Sequence, residues 1–243
     1  MKTYTFAKRC AKEILRDPLN LAFGLGFPVV LLLLLSAIQR NVPVPLFEIE
    51  SLAPGIAVFG LSFMTLFCAT LIAKDRESAL IERLYTTPLR SSDFILGYVL
   101  PTLPIALLQG AVSYLVAIML GLTPSWNMLY AILMLFPVAL LYIALGLLCG
   151  SILTVKQVGG VCGALLTNLS AWLSGIWFDL SLVGGAFEAI ANLLPFVHAV
   201  ELERAILSGN TGGVFLHFWV VFGYAVLIML GAVLLFLRQM KRR

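Results

Sequence analysis

Long uncharged stretches alternate with short charged ones along this chain of 243 residues. Residues 51–73 contain no Asp, Glu, Lys or Arg, and the same is true of residues 94–155. About 20 consecutive apolar residues are enough for a helix that crosses a bilayer. Open strands would leave backbone groups unpaired in hydrocarbon, so we predict that these stretches are transmembrane helices.

Turn residues divide the uncharged stretches into six predicted spans. The longest stretch is divided at residues 122–127, where Pro, Ser and Asn favour a turn. The predicted spans are residues 21–39, 53–73, 94–120, 128–154, 157–178 and 214–237. We therefore predict an all-α membrane protein in which residues 1–243 form a single transmembrane domain.

Two further segments do not have the pattern of a membrane span. Residues 1–18 place apolar side chains, such as Phe6 and Ile14, between basic ones, which is typical of an amphipathic helix in a membrane interface. Residues 179–208 contain two stretches of about 10–12 helical residues, a length that favours interfacial or re-entrant helices. We predict a helix–turn–helix hairpin in the outer leaflet, with its acids on the outer side: Asp179, Glu188, Glu201 and Glu203.

The charge distribution sets the predicted orientation. Hydrophobic residues make up 61% of the chain, the mean hydropathy is +1.03 and charged residues are 12%, against about 25% in soluble domains. Of the 16 Lys and Arg residues, only Arg40 and Arg204 fall on the side opposite the termini. Because cytoplasmic loops are enriched in Lys and Arg, we predict that both termini and residues 74–93 are cytoplasmic.

The sequence argues against several kinds of chemistry. It contains no Gly-Lys dipeptide, so the phosphate-binding loop of ATPases is absent and another chain would have to bind ATP. Its four cysteines show no paired spacing and its two histidines no metal-binding motif, so we expect no metal or cofactor in this chain, and no nucleic-acid partner. The predicted spans also lack the ionisable residues that proton relays and ion-coupled transporters place at mid-depth.

The fifth predicted span carries uncharged polar and aromatic residues together with small ones. Two interpretations are open: these side chains line a substrate pathway, or the Ser and Asn residues join neighbouring helices. Gly159 and Gly163 would let another helix approach closely, so we predict a homodimer whose seam uses the second and fifth spans. The candidate pathway residues are Asn168, Ser170, Trp172 and Ser174.

Residues 74–93 hold eight of the 28 charged residues of the chain, between two uncharged stretches. Leu80, Ile81, Leu84 and Tyr85 have the spacing of one helical stripe. Such a short amphipathic helix either lies on the inner leaflet or inserts its apolar face into the groove of a partner.

Three segments carry a resemblance to type-2 ABC transporter permeases. DRESALIERLYTTPLRSSDFILGYVLP, residues 75–101, resembles the segment that follows the second span in that family, although the family often has Gly-Thr where this chain has Ala79-Leu80. The matching residues are Asp75, Arg76, Glu77, Glu82, Arg83, Leu84, Thr87, Pro88 and Gly97. RDPLNLAFGLGFPVVLLLL, residues 16–34, resembles the family's first span, and LLPFVHAVELERAIL, residues 193–207, its segment before the last span.

The resemblance implies an exporter of two parts in a bacterial plasma membrane. Two copies of this chain would form the pathway, and two copies of a separate ATPase, which hold ATP and Mg²⁺, would dock on the cytoplasmic side. Residues 74–91 would be the coupling helix, and the hairpin would form an outer gate at Phe187, Pro195 and Phe196. The implied coupling residues are Asp75, Glu77, Leu80, Glu82, Arg83, Leu84, Thr87 and Pro88.

The uncharged spans favour a hydrophobic or amphiphilic cargo such as a drug, a peptide antibiotic or a lipid. Three alternatives stay open. The chain is a subunit of a polysaccharide exporter, a non-transporting scaffold, sensor or immunity protein with a permease fold, or a membrane-embedded enzyme. The last alternative is disfavoured because the His, Asp and Glu residues are scattered along the chain.

Overall fold

The computed structural model describes residues 2–42, 44–78 and 91–241, and every regular element within these ranges is helical. Helix α1 covers Lys2–Leu15. Helix α2 covers Pro18–Leu21 and continues through one π-helical turn, Ala22–Gly26, into helix α3, Phe27–Asn41.

Three long helices follow and form the centre of the fold. They are α4, Ile49–Glu77; α5, Ser91–Met119; and α6, Trp126–Ile152. After α6 come α7, Val155–Val158; a π-helical stretch, Gly159–Leu166; α8, Thr167–Trp172; a short 3-10 turn, Leu180–Leu182; α9, Gly185–Leu193; α10, Pro195–Leu207; and α11, Thr211–Lys241.

Five helices are long and apolar enough to cross a membrane, and they coincide with five of the six predicted spans. Their ranges are Ala22–Asn41, Ile49–Glu77, Asp93–Met119, Trp126–Ile152 and Gly212–Phe236. The all-α prediction is therefore confirmed for the part of the chain that the structure describes.

The fifth predicted span, residues 157–178, differs from the prediction. Its helical run extends from Val155 to Trp172 and has π-helical geometry over Gly159–Leu166, where three glycines weaken the α-helix. The chain then leaves the helix, and Gly175 has a φ of +68°, which only glycine adopts without strain. This run is not among the five candidate spans, so a sixth crossing stays a prediction.

Helix α4 is the central element, because 89% of its most apolar window is buried, whereas the corresponding fraction in α11 is 17%. Glycines of α6 allow the closest approach to α4. A Cβ atom at Gly146 would lie 2.8 Å from the carbonyl oxygen of Thr65, and one at Gly150 would lie 2.9 Å from the Cα of Ala69. The outward faces of α3 and α11 are apolar, as a lipid-facing surface requires.

The described chain has two distinct ends. At the first, which we call the N-terminal end, α1 packs on the last turns of α4 and the first turns of α5. The Phe94 and Phe236 rings lie 6.0 Å apart, so α11 finishes at this same end. At the second, which we call the hairpin end, lie α9, α10 and the turn between α5 and α6. Both termini thus share one side, as the charge pattern predicts; which side is cytoplasmic stays a prediction.

The packing of α1 differs from the predicted contact with lipid. Its apolar face is buried against α4 and α5, where Phe6 makes edge-to-face contacts with Phe94 and Tyr98. Cys10 and Ile14 are buried in the same core, while Tyr4 and Leu15 are exposed. The pattern of an amphipathic helix was therefore correct, but protein rather than lipid covers most of its apolar face.

The predicted hairpin consists of two helices of the expected lengths, α9 and α10, joined at Leu194. Helix α10 packs between α4, α6 and α11, and Phe196, Val200 and Leu202 are buried. Its depth in the bilayer stays a prediction.

Candidate functional site

A buried carboxylate stands where α4 leads into the charged segment. Asp75 is only 1% exposed and accepts hydrogen bonds from two sides. Arg9 of α1 donates through Nη2 to Oδ1 at 2.6 Å and through Nη1 to Oδ2, and the Tyr98 hydroxyl donates to Oδ2 at 2.9 Å. We call Arg9, Asp75 and Tyr98 the Asp75 cluster; it connects three helices.

The Asp75 cluster contains an ion-pair contact between Arg9 and Asp75. Burial lowers the pKa of Arg9, but the hydrogen bonds and charge of Asp75 outweigh burial and hold that pKa above its ordinary value. Arg9 also pairs with Glu13, one turn later in α1, at 2.6 Å. In the same interface burial raises the pKa of Cys10 to about 12, so its thiol stays protonated at neutral pH.

The next two residues of α4 connect it to the turn after α6. Arg76 Nη1 donates to the carbonyl oxygen of Gly150 at 2.7 Å. The backbone N–H of Val155 donates to a carboxylate oxygen of Glu77 at 2.9 Å. Two charged residues at the start of the predicted coupling segment therefore hold the end of α6 and its connection to α7 in place.

The structure describes two of the predicted coupling residues, Asp75 and Glu77. Asp75 is engaged within the chain, and Glu77 is exposed. The others lie outside the described residues: Leu80, Glu82, Arg83, Leu84, Thr87 and Pro88. Sequence reasoning missed Arg9 and Tyr98, because no local spacing relates residues 66 and 23 positions away from Asp75.

The four predicted pathway residues fall on two faces. Trp172 is 50% exposed and Asn168 is also exposed, with its Nδ2 donating to the carbonyl oxygen of Ala164 at 2.8 Å. Ser170 and Ser174 are buried, and each hydroxyl donates to a backbone carbonyl of its own segment at 2.9 Å. The serines thus satisfy their hydrogen bonds inside the fold, and the exposed amide and indole are the pair that an outside ligand or subunit can reach.

Five aromatic rings form a continuous row from the π-helical turn after α2 to the turn that follows α8; we call it the aromatic column. Successive centroids are 6.4, 5.9, 5.8 and 5.8 Å apart, which is contact distance for aromatic pairs. Phe23 and Phe27 at one end are partly exposed, while the central rings are buried. Its members in spatial order are Phe23, Phe27, Phe63, Phe59 and Trp177.

The predicted outer-gate residues occupy different surroundings. Phe187 of α9 lies 6.1 Å from Phe178, ring centroid to ring centroid. Pro195 and Phe196 are buried at the start of α10, and the Phe196 ring lies 6.2 Å from that of Tyr142 on α6. Phe187 and Phe196 therefore connect the hairpin to two different parts of the fold, and a gating role stays a prediction.

A second buried carboxylate lies at the hairpin end. Glu203 is fully buried, and Tyr114 of α5 donates to its Oε2 at 3.0 Å, while Oε1 has no hydrogen-bond partner among the described residues. Helix α10 turns Glu203 into the core at the hairpin end, and whether that end is the outer side of the membrane stays a prediction. Burial raises the pKa of Glu203 well above its ordinary value, against the smaller opposite effect of the Tyr114 hydrogen bond.

A polar groove of about 410 Å³ opens beside α10 at the hairpin end. Its lining includes Glu50, Glu201 and Arg204. Arg204 is fixed by the carbonyl oxygens of Ser51 and Gly175 at 3.2 and 3.3 Å and by Glu201 at 2.9 Å. The guanidinium therefore holds α10 against the start of α4 and the turn after α8. Within the described residues, no three His, Cys, Asp or Glu side chains are grouped to hold a metal.

The fold has the features of a membrane permease. Its helices are long enough to cross a membrane, a charged segment follows α4 at the N-terminal end of the fold, and a two-helix hairpin lies at the opposite end. Residues 1–208 match the ABC-2 type transporter family, so this chain belongs to that family. It is therefore a membrane component of an ABC transporter, and such subunits are not themselves ATPases.

Individual relatives agree with this assignment. The chain is 27% identical to Nodulation protein J of Bradyrhizobium diazoefficiens, over 94% of this chain and 86% of that protein. It is 25% identical to Nodulation protein J of Sinorhizobium fredii, over 88% and 80% of the two chains. It is also 27% identical to ABC transporter G family member 20 of Dictyostelium discoideum, over 72% of this chain and 24% of that protein.

Proposed function

We propose that this chain is the permease half of an ATP-driven exporter for a hydrophobic or amphiphilic cargo. Two copies would form the pathway, and two copies of a separate ATPase would bind at the cytoplasmic side of a bacterial plasma membrane. The observation that carries this proposal is the exposed pair Asn168 and Trp172, which gives an otherwise apolar surface one amide and one indole.

The exposed pair supports the pathway and the fifth-span part of the seam, whereas the second predicted span, α4, is 89% buried in its most apolar window and offers little surface to a second copy. In this chain Asn168 and Trp172 are a single helical turn apart on one face of α8, with Ala164 exposed one turn before them. A second copy facing this surface would enclose a route lined by amide, indole and small side chains. Such a lining has no fixed charge, and it suits cargo that carries few charges of its own.

The Asp75 cluster supports the coupling part of the proposal. It fixes the end of α4 to α1 and α5, and the coupling segment of residues 74–91 begins there. Arg76 and Glu77 fix the same end of α4 to the α6–α7 connection. A force on the coupling segment would therefore act on α1, α4, α5 and α6 together, since ion-paired and hydrogen-bonded contacts hold them as one body.

The aromatic column favours a second candidate cargo, a polysaccharide. Sugar rings present apolar C–H faces that pack on aromatic rings, and Phe23 and Phe27 expose one end of the column beside α3. We rank this candidate second, because the central rings of the column are buried within the single chain.

The test compares two charge changes in the coupling segment. Glu82→Lys reverses a charge within the predicted helix, and Arg90→Ala removes one beyond the Pro88 turn; all three residues lie outside the described ones. Truncating one member of a partly buried charged contact costs about 2–5 kcal/mol, whereas an exposed pair is worth about 0–1 kcal/mol. The chain is co-expressed with a candidate ATPase that has a phosphate-binding loop and is encoded by a neighbouring gene, and co-purification and cargo-stimulated ATP hydrolysis are measured.

We expect Glu82→Lys to weaken ATPase binding or uncouple hydrolysis from cargo, and Arg90→Ala to leave both nearly unchanged. Normal binding and turnover in Glu82→Lys would show that the segment only lies on the membrane. For cargo, Trp172→Ala should change which compounds stimulate hydrolysis while assembly is kept. Loss of expression alone would mean that Trp172 has a structural role.

A further inference from the structure

The outward face of α1 carries a row of basic side chains. Lys8, Lys12 and Arg16 are exposed and recur every four residues, so they lie on one face about 6 Å apart along the helix. Tyr4 begins the row with 71% of its surface exposed, and Leu15 flanks its end with 61% exposed. We call these five residues the basic stripe.

Three of the acids near α1 face cations outside the stripe, and a fourth, Asp93, accepts a hydrogen bond from Thr3 in the first turn of the helix. Glu13 pairs with Arg9, and Asp17 lies 3.6 Å from Lys74. Asp75 belongs to its own cluster. Among the described residues, Lys8, Lys12 and Arg16 form no ion pair, so their charges are free to attract an outside anion.

The position of the basic stripe is fixed by contacts of α1 within the chain. Phe6, Cys10 and Ile14 bury the opposite face of α1, and the Arg9–Asp75 pair fixes its rotation about the helix axis. Helix α1 crosses the last turns of α4 and the first turns of α5, which are the ends of two candidate membrane spans. Lipid headgroups lie at the ends of a span, so this position would bring the stripe to their level.

We propose that the basic stripe binds the headgroups of anionic phospholipids. The lysines and Arg16 contact lipid phosphates, while the exposed Tyr4 and Leu15 side chains enter the headgroup–acyl boundary, where aromatic and apolar groups are favoured. Each basic side chain near an anionic surface raises lipid association by about fivefold at low salt. This binding requires that α1 lie at the ends of the spans α4 and α5, so that the stripe is at the boundary of one leaflet.

The test measures which lipid lies next to the stripe. The full chain carries a fluorophore at Thr5→Cys, an exposed position of α1 outside the basic stripe, with Cys149→Ser removing the one native thiol that is not fully buried. It is placed in phosphatidylcholine nanodiscs that contain nitroxide-labelled phosphatidylglycerol or nitroxide-labelled phosphatidylcholine at equal amounts. Both leaflets have the same composition, so the result depends neither on orientation in the cell nor on transport.

We expect phosphatidylglycerol to quench several-fold more than phosphatidylcholine at about 0.05 M salt and to lose this advantage near 0.5 M. Lys8→Gln with Lys12→Gln should bring the ratio close to one, and both are exposed positions where Gln is a good helix former. The matched control, Lys156→Gln with Arg238→Gln, removes two exposed charges from the same end of the fold outside α1 and should leave the ratio unchanged.

Three results would overturn the proposal. They are a ratio of one in the parent chain, an unchanged ratio in the α1 pair, and an equal fall in the control pair. If the α1 pair instead abolished ATPase co-purification with no change in lipid quenching, the stripe would be a protein-docking surface. Failure of the Glu82→Lys experiment leaves this measurement unaffected, because no ATPase is present.

Discussion

The two ends of the molecule each bury one carboxylate, but the two carboxylates differ in their hydrogen-bond partners. At the N-terminal end, Asp75 faces a guanidinium and a phenol and both its oxygens accept hydrogen bonds. At the hairpin end, Glu203 has only a phenol, and one of its oxygens has no partner among the described residues. Both acids are almost completely shielded from solvent.

The difference shows what a buried acid can do in each surrounding. An ionised carboxylate in the interior is tolerated when a cation and further hydrogen bonds compensate for lost water. Asp75 therefore works as a fixed charge that joins helices. Without a cation, burial favours the neutral acid, so Glu203 works as a polar but uncharged contact that connects α10 to α5.

Removing the carboxylate of Asp75 should have the largest effect on the stability of the folded chain. Asp75→Ala leaves Arg9 without its main partner, and we expect a loss of roughly 2–3 kcal/mol in stability. This is less than the 3–5 kcal/mol typical of broken buried pairs, because Arg9 is more than one third exposed. Cys10, which is buried in the α1 interface, should then react with maleimide much faster.

Two matched variants make the Asp75 test decisive. Glu50→Ala removes an exposed acid that forms no hydrogen bond or ion pair among the described residues, and it should change stability little and Cys10 labelling not at all. Combining Arg9→Met with Asp75→Leu removes both charges and should recover most of the lost stability, since an apolar pair needs no compensation. Unchanged Cys10 labelling in Asp75→Ala would mean that apolar packing alone holds α1.

The packing contribution at the N-terminal end can be tested separately and should be smaller. A Cβ atom at Gly97 would lie 2.1 Å from Cδ1 of Phe6, so Gly97→Ala must displace that ring. Overpacking of this kind costs about 1–3 kcal/mol, and the thermal midpoint should fall while the ion pair remains. Gly26→Ala is the control, because nothing lies within 4 Å of its Cβ position. Equal midpoints for the two variants would contradict the packing of Phe6 against α5.

The smallest expected effect on stability is at Glu203. Replacing this acid should stabilise the chain, whereas the changes at Asp75 and Gly97 should destabilise it. The pKa of Glu203 is raised in the folded chain, so its stabilising contribution is complete below its ordinary value of 4.5 and is lost as pH rises through the raised pKa. Glu203→Gln keeps the shape and cannot ionise, so the thermal midpoint of this variant should exceed that of the parent increasingly from pH 5 to 8.

Tyr114→Phe is the companion measurement. It removes the hydrogen bond to Glu203 and should lower stability by about 1 kcal/mol, with no gain at high pH. A Glu203→Gln variant that is less stable than the parent at pH 8 would show that Glu203 is ionised and compensated, as Asp75 is, and would remove the contrast between the two ends.

Much of this architecture could be predicted from the sequence, because the relevant patterns are local. Uncharged stretches of sufficient length fixed five helices close to their observed bounds, and the Lys and Arg distribution placed both termini on one side. The fifth predicted span ends six residues too late, at Phe178, whereas the helix ends at Trp172. The residues between these positions carry no charge, so the length of the uncharged stretch did not mark the end of the helix.

By itself, then, the sequence determined which helices are long and apolar enough to cross a membrane, since length and apolarity are local properties of the chain. Only the tertiary structure decided which side chains the buried acids contact. Asp75 meets Arg9 and Glu203 meets Tyr114 across separations of 66 and 89 residues. The exposed face of α8 and the aromatic column likewise depend on how helices rotate against one another. Rotation is set by side-chain packing around α4, and hydropathy along the chain does not encode it.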